Sequence, residues 1–183
     1  MAQFVLTLNT TRPDRALRRL VDRYPQAVAR ALNRAGHAAN LVVARLVAAD
    51  MQLNVRDVVA ETREILATPT RPSFVVTASA TRIPLIKFRA RGPEPSRGKG
   101  RGVTARTATR RYPRAFIATV GRGGHRGVFE RVGKQRLPIR ELRGPSVWHV
   151  FLKHAPAGVA RGEEQLVKNL RHELRFAMGA SGA

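Results

Sequence analysis

A change of hydrophobic period partway along the chain constrains its fold more than any other feature. Leu17, Leu20, Val21, Tyr24, Val28, Ala31, Leu32, Ala35, Ala39, Val42, Val43, Leu46 and Val47 recur at spacings of three and four. That is one apolar stripe at the helical period. Thr11 or Asp14 is placed to cap its start, and Asp14 also suits the positive end of the helix dipole. Pro25 interrupts the stripe, which allows a bent helix or two helices in series with Pro25 in the first turn of the second. The stripe keeps its phase across Pro25, and this favours a bent, nearly continuous helix. A shorter helix is expected next, capped by Asn54 and carrying Val55, Val58 and Val59.

From about Glu64 to Leu142 the period shortens. Ile65-Leu66-Ala67, Phe74–Ala78, Leu85–Phe88, Val103-Thr104-Ala105, Ala115–Val120 and Gly127–Val132 read as short strands, several alternating apolar with polar. Gly121-Arg122-Gly123-Gly124 is the turn between the last two. Gly144-Pro145-Ser146 then opens a short helix with Trp148 and Phe151, with Ser146 as its N-cap. A last amphipathic helix carries Glu163, Leu166, Val167, Leu170, Leu174 and Ala177.

Helices, then strands, then helices is the order of an α+β fold. We expect one domain over residues 1–183: helical at 12–62, β at 63–143 with a basic loop at 89–114, helical again at 144–178, and a frayed tail at 179–183. The architecture so predicted is a long bent N-terminal helix and C-terminal helices packed on an antiparallel sheet, with a basic Gly/Pro-rich loop. No internal repeat is present.

Charge comes next. Lys and Arg total 34 (29 of them Arg) against 12 Asp and Glu, a formal charge of +22. Self-repulsion at that charge is relieved by a polyanion or an acidic neighbour. GC-rich coding accounts for part of the Arg and Ala excess but not for the scarcity of acids. At 43% hydrophobic residues the chain is not a disordered polycation. With no cysteine there is no disulfide scaffold, Cys-ligated zinc or thiol catalysis. The opening Met1–Leu6 lacks a basic n-region and a long apolar core, and no run approaches ~18 apolar residues. The expectation is a protein used in a cytoplasm or in a particle assembled there, without a membrane.

The densest charge lies between Arg82 and Arg114. Arg82, Lys87, Arg89, Arg91, Arg97, Lys99, Arg101, Arg106, Arg110, Arg111 and Arg114 face a single acid, Glu94. The centre of this run, residues 90–102, is rich in Gly and Pro and reads as a mobile basic loop. Arg89, Arg91, Arg97, Lys99, Arg101, Arg106, Arg110 and Arg111 are the candidates for contact with DNA or an acidic partner. The competing reading is a solvated loop that binds nothing.

No catalytic constellation emerges. His37, His125, His149, His154 and His172 form no His-x-x-x-His pair, and no nearby carboxylates complete a metal set. Gly98-Lys99-Gly100-Arg101-Gly102 lacks the Ser or Thr after Lys and the preceding strand of a Walker loop. Glu163 and Glu164, the one adjacent pair of acids, sit where they complement the dipole of a helix's first turn. No enzyme activity and no cofactor are expected. Nucleic-acid readout modules are missing too, and 5% aromatic residues supply few stacking platforms. What remains is sequence-independent phosphate contact.

Several segments carry a resemblance. They are Thr81–Phe88, Pro113–Val120, Gly124–Lys134 and Leu137–Val147, behind an Ala/Arg-rich helical N-terminus. Together, and in this order, they resemble the minor tail protein Z family of lambda-like phages and prophages, over roughly Arg15 to Phe151. The resemblance implies a tail-completion protein at the neck of a long-tailed phage, needed for productive DNA passage and assembled in the host bacterial cytoplasm. It implies a ring of its own copies, six-fold as in related neck proteins. That ring would stack between tail terminator and head connector, near packaged double-stranded DNA. It brings no catalytic residues.

Within these motifs, Arg82-Ile83-Pro84 would set Pro84 at a strand start or edge, where its missing N–H is tolerated. Phe116 belongs to one strand. Gly127, Phe129 and Arg131 would alternate faces along another. Gly144 and Pro145 would set the exit into the helix presenting Trp148 and Phe151, an aromatic pair buried or at an interface. The alternative function is a basic nucleic-acid-binding protein of ribosomal or nucleoid type.

Overall fold

The computed structural model describes residues 2–7, 19, 22–94, 102–106 and 111–180. Within these, the apolar stripe forms α1, Pro25–Met51. Val28, Ala31, Leu32, Ala35, Ala39, Val43 and Val47 are all fully buried. The helix starts at its proline: Tyr24 has φ −130° and ψ 53°, and its carbonyl accepts the Val28 N–H at 3.1 Å. A residue before proline is pushed out of the helical region, so the chain breaks at Tyr24 instead of bending through Pro25. Pro25 thus stands in the first turn of α1, as the second alternative requires of it, and the partner segment before Tyr24 lies largely outside the described residues. Thr11, Asp14, Leu17, Leu20 and Val21 lie outside the described residues. Asn54 stands at the N-cap of the short α2, Val55–Val59, without a side-chain cap bond.

Three antiparallel sheets replace the single expected sheet. In the first, β1 (Ala2–Thr7), β3 (Ser73–Ala78) and β2 (Thr62–Ile65) lie in the order β1-β3-β2. Strand β1 was not predicted, and the helical region ends at α2, with Thr62 already in a strand. Phe74, Val76 and Ala78 bury one face of β3, and Gly36 of α1 leaves room for the Phe74 ring, which a Cβ at that position would strike. A two-stranded ribbon joins β4 (Val103–Thr104) to β5 (Arg111–Tyr112). The third sheet runs β6 (Ala115–Val120), β7 (His125–Arg131), β8 (Ile139–Glu141). Gly121 and Gly124, both at positive φ, make the β6–β7 turn.

Two expectations are corrected. Leu85–Phe88 forms a 3-10 turn, not a strand, because it follows Pro84 and must bury both Leu85 and Phe88. The two C-terminal helices are one, α3, Trp148–Ala180, with Pro156 inside it. Pro156 is exposed, and the buried residues Phe151, Ala155, Gly158, Gly162 and Leu166 continue one face past it. Packing of that face against α1 outweighs the one backbone bond a proline forfeits. Glu163 and Glu164 therefore lie mid-helix, where Glu164 pairs with Arg161 and Lys168, each at 2.6 Å, instead of serving a dipole.

Helices α1 and α3 run antiparallel and make the most extensive packing in the fold. Polar ties fix their alignment. Arg30 and Arg34 of α1 hold the buried Glu173 of α3 at 2.7 and 2.8 Å. At the other end, Asp50 accepts from Lys153 and His154, both at 2.8 Å. Among the described residues no helix is long and apolar enough to cross a membrane.

Candidate functional site

Two segments far apart in sequence build the site. Ile83 donates to Pro145 O at 3.3 Å, Gly144 to Ile83 O at 2.8 Å and Leu85 to Leu142 O at 3.0 Å. Pro84 lies opposite Arg143 in this pairing, where no N–H is required of it. Gly144 is needed for the close approach, since a Cβ there would lie 2.6 Å from Phe88 Cε2. Beyond the 3-10 turn, Arg91 and Thr104 exchange backbone bonds at 2.8 Å in both directions, and Arg106 donates to Phe88 O at 3.0 Å. These bonds close the foot of the basic segment and bring Arg89, Arg91 and Arg106 to the end of α1.

The result is a groove of two adjoining depressions that share Asp50 and Arg106. One, about 540 Å³, is lined by Gln52, Arg89, Arg91, Thr104 and Ala105 besides the shared pair. The other, about 490 Å³, adds Arg82, Phe88, Tyr112 and Arg143. Five arginines thus surround one carboxylate. Hydrogen bonds from Lys153 and His154 hold the Asp50 carboxyl below its ordinary range, so it is ionised and already partnered.

The arginines are not balanced in the same way. Among the described residues, Arg82, Arg89, Arg91 and Arg106 have no acidic partner, and Arg143 reaches Glu141 only at 3.5 Å. Glu94, the lone acid of the basic run, is engaged by Arg126 at 3.4 Å, and Lys87 is taken by Asp57 at 3.3 Å. Gln52 (φ 57°) and Arg89 (φ 52°), the non-glycine residues at positive φ among those described, both line this groove. Each is the left-handed C-cap of a helical element, Gln52 of α1 and Arg89 of the 3-10 turn, so two element ends converge here.

The structure therefore gathers Arg89, Arg91 and Arg106 from the predicted contact set and adds Arg82, expected only to support a strand edge. Arg111, on β5, faces a separate depression with Pro113, Arg114 and Glu130. Arg97, Lys99, Arg101 and Arg110 lie outside the described residues. Sequence reasoning missed Arg143, Asp50 and Gln52. Arg143 sits 37 positions from Arg106, and only the Pro84–Arg143 pairing makes them neighbours.

The remaining motif residues serve packing. Gly127, Phe129 and Arg131 share one face of β7 and do not alternate between faces, since a strand repeats every two residues. Phe129 pairs in register with Phe116, ring centroids 6.4 Å apart, and the Arg131 guanidinium lies 5.3 Å from the Phe116 ring centre. A Cβ on Gly127 would come within 3.0 Å of both Phe129 and Glu141, and His125 bonds Glu141 at 2.7 Å. Phe151 is fully buried and Trp148 partly so.

No group of three or more metal-ligating side chains occurs among the described residues. The groove presents the fixed positive charge of its arginines, which suits holding an anion, while the Thr104 hydroxyl and the Gln52 amide donate to Arg91 O and Ala49 O. Residues 14–179 match the family model of the prophage minor tail protein Z (GPZ). No curated protein and no solved structure matches the chain. The family match covers most of the sequence, and the chain belongs to that family of phage tail proteins.

Proposed function

We propose that this member of the minor tail protein Z family is a tail-completion subunit at the head-proximal end of a phage tail. It joins tail to head and supports DNA passage. In this reading copies of the chain assemble as a ring, six-fold in the simplest case, that docks between tail terminator and head connector. The observation that carries it is the family match over 14–179 on a fold whose conspicuous surface feature is an unpaired basic groove. Exposed apolar side chains supply docking surface as well. Phe176, Met178 and Val167 on α3 are 67%, 59% and 52% exposed, and Val132 and Leu137 in the β7–β8 connection are each 64% exposed.

The test is deletion of the gene from the phage or prophage genome that carries it and electron microscopy of the lysate, with purified protein added back in extract. The reading expects heads and tails that fail to form infectious particles, with infectivity restored by the added protein. Normal infectious yield without it would refute the reading.

A further inference from the structure

We infer that the groove of Arg82, Arg89, Arg91, Arg106 and Arg143 is a site for consecutive phosphodiesters of duplex DNA. The inference names the partner of the surface discussed above and rests on that reading for its setting at the head–tail joint. Three features favour DNA over an acidic protein. First, the site has room for more than one anion: its two depressions, about 540 and 490 Å³, share Asp50 and Arg106 and together carry five arginines in their lining. Second, every unpaired cation in it is arginine, whose planar fork binds phosphate oxygens in pairs. Third, Asp50, which would repel a polyanion, is already covered by Lys153 and His154 at 2.8 Å.

The aromatic lining decides between duplex and single strand. Tyr112, half-buried, and Phe88, fully buried beneath the surface, are the aromatic residues that line the groove. Neither provides a platform for a row of stacked bases. The contact is therefore to backbone, insensitive to base sequence and steeply dependent on salt.

Binding of a labelled 20-base-pair duplex by the purified full chain, measured across a salt series, tests this. Each neutralised phosphate adds about −0.9 to the slope of log K against log salt. Five arginines give about −4.5, and Arg89→Ser/Arg91→Ser/Arg106→Ser leaves about −1.8. A control with equal charge loss elsewhere, Arg122→Ser/Arg136→Ser/Arg171→Ser, keeps the wild-type slope. Equal losses in both triple variants would overturn the site in favour of diffuse attraction. Polyglutamate of matched charge should compete at least tenfold more weakly than unlabelled duplex, and equal competition would transfer the site to an acidic protein. Thermal melts show that each variant is folded. A wild-type chain that restores infectivity on add-back yet binds no duplex would sink this inference alone, whereas duplex binding by a protein dispensable for infectivity would sink only the tail-completion reading.

Discussion

The α1–α3 layer and the basic groove handle positive charge in opposite ways. Between the helices, cations meet acids: Glu173 lies between Arg30 and Arg34, and Asp50 between Lys153 and His154. Nearby, Glu64 takes both His37 and the Asn40 amide at 2.7 Å. Across the groove four arginines have no acid among the described residues. The difference shows where the fold spends its 12 acids, since most of the net charge of +22 is left without them, at the groove among other places. Where the fold needs alignment it provides carboxylates. At the groove it omits them, at a cost in self-repulsion that a polyanion would relieve.

Substitutions break this comparison at different depths. The largest effect belongs to two buried phenylalanines, Phe74 in the main core and Phe129 packed on Phe116 in the third sheet: Phe74→Ala or Phe129→Ala should destabilise by about 3–5 kcal/mol. Denaturant unfolding measures it, and an unchanged midpoint for Phe129→Ala would show that its strand face contributes no packing. Next, Glu173→Ala should cost about 1–3 kcal/mol, limited because Arg30 and Arg34 are half exposed and rehydrate. Gln52→Gly should stabilise by about 1 kcal/mol by removing a left-handed backbone strain. A loss instead would mean that the Gln52 amide bond to Ala49 O matters more than the strain. Smallest is the groove itself: Arg89→Ser/Arg91→Ser/Arg106→Ser should leave stability within about 0.5 kcal/mol, as for exposed unpartnered residues.

The two regions also differ in how far the sequence discloses them. The α1 stripe is legible because its burial follows from local period alone, and every stripe position from Val28 to Val47 is buried or partly buried. Strand β1 was invisible: it is six residues long and pairs with β3 some 70 positions away. Leu85–Phe88 misled because β-type residues sit in a turn dictated by Pro84 and by the pairing with 142–145. Pro156 misled in the opposite sense, since a proline on an exposed face of a well-packed helix does not end it. The groove was half legible. Its arginines stand out as a run, but Arg143 and the Asp50 cluster join them only through tertiary pairing.

A single measurement addresses the central claim, that the groove's charge is left open for a polyanion while the helical layer's is committed. It is thermal unfolding of wild type, the groove triple variant and Glu173→Ala, each with and without excess short duplex DNA. Ligand that binds only the folded state raises the melting temperature. The account predicts a clear rise for wild type and for Glu173→Ala, the latter from a lower baseline, and almost none for the groove triple. An equal rise in all three proteins would contradict it.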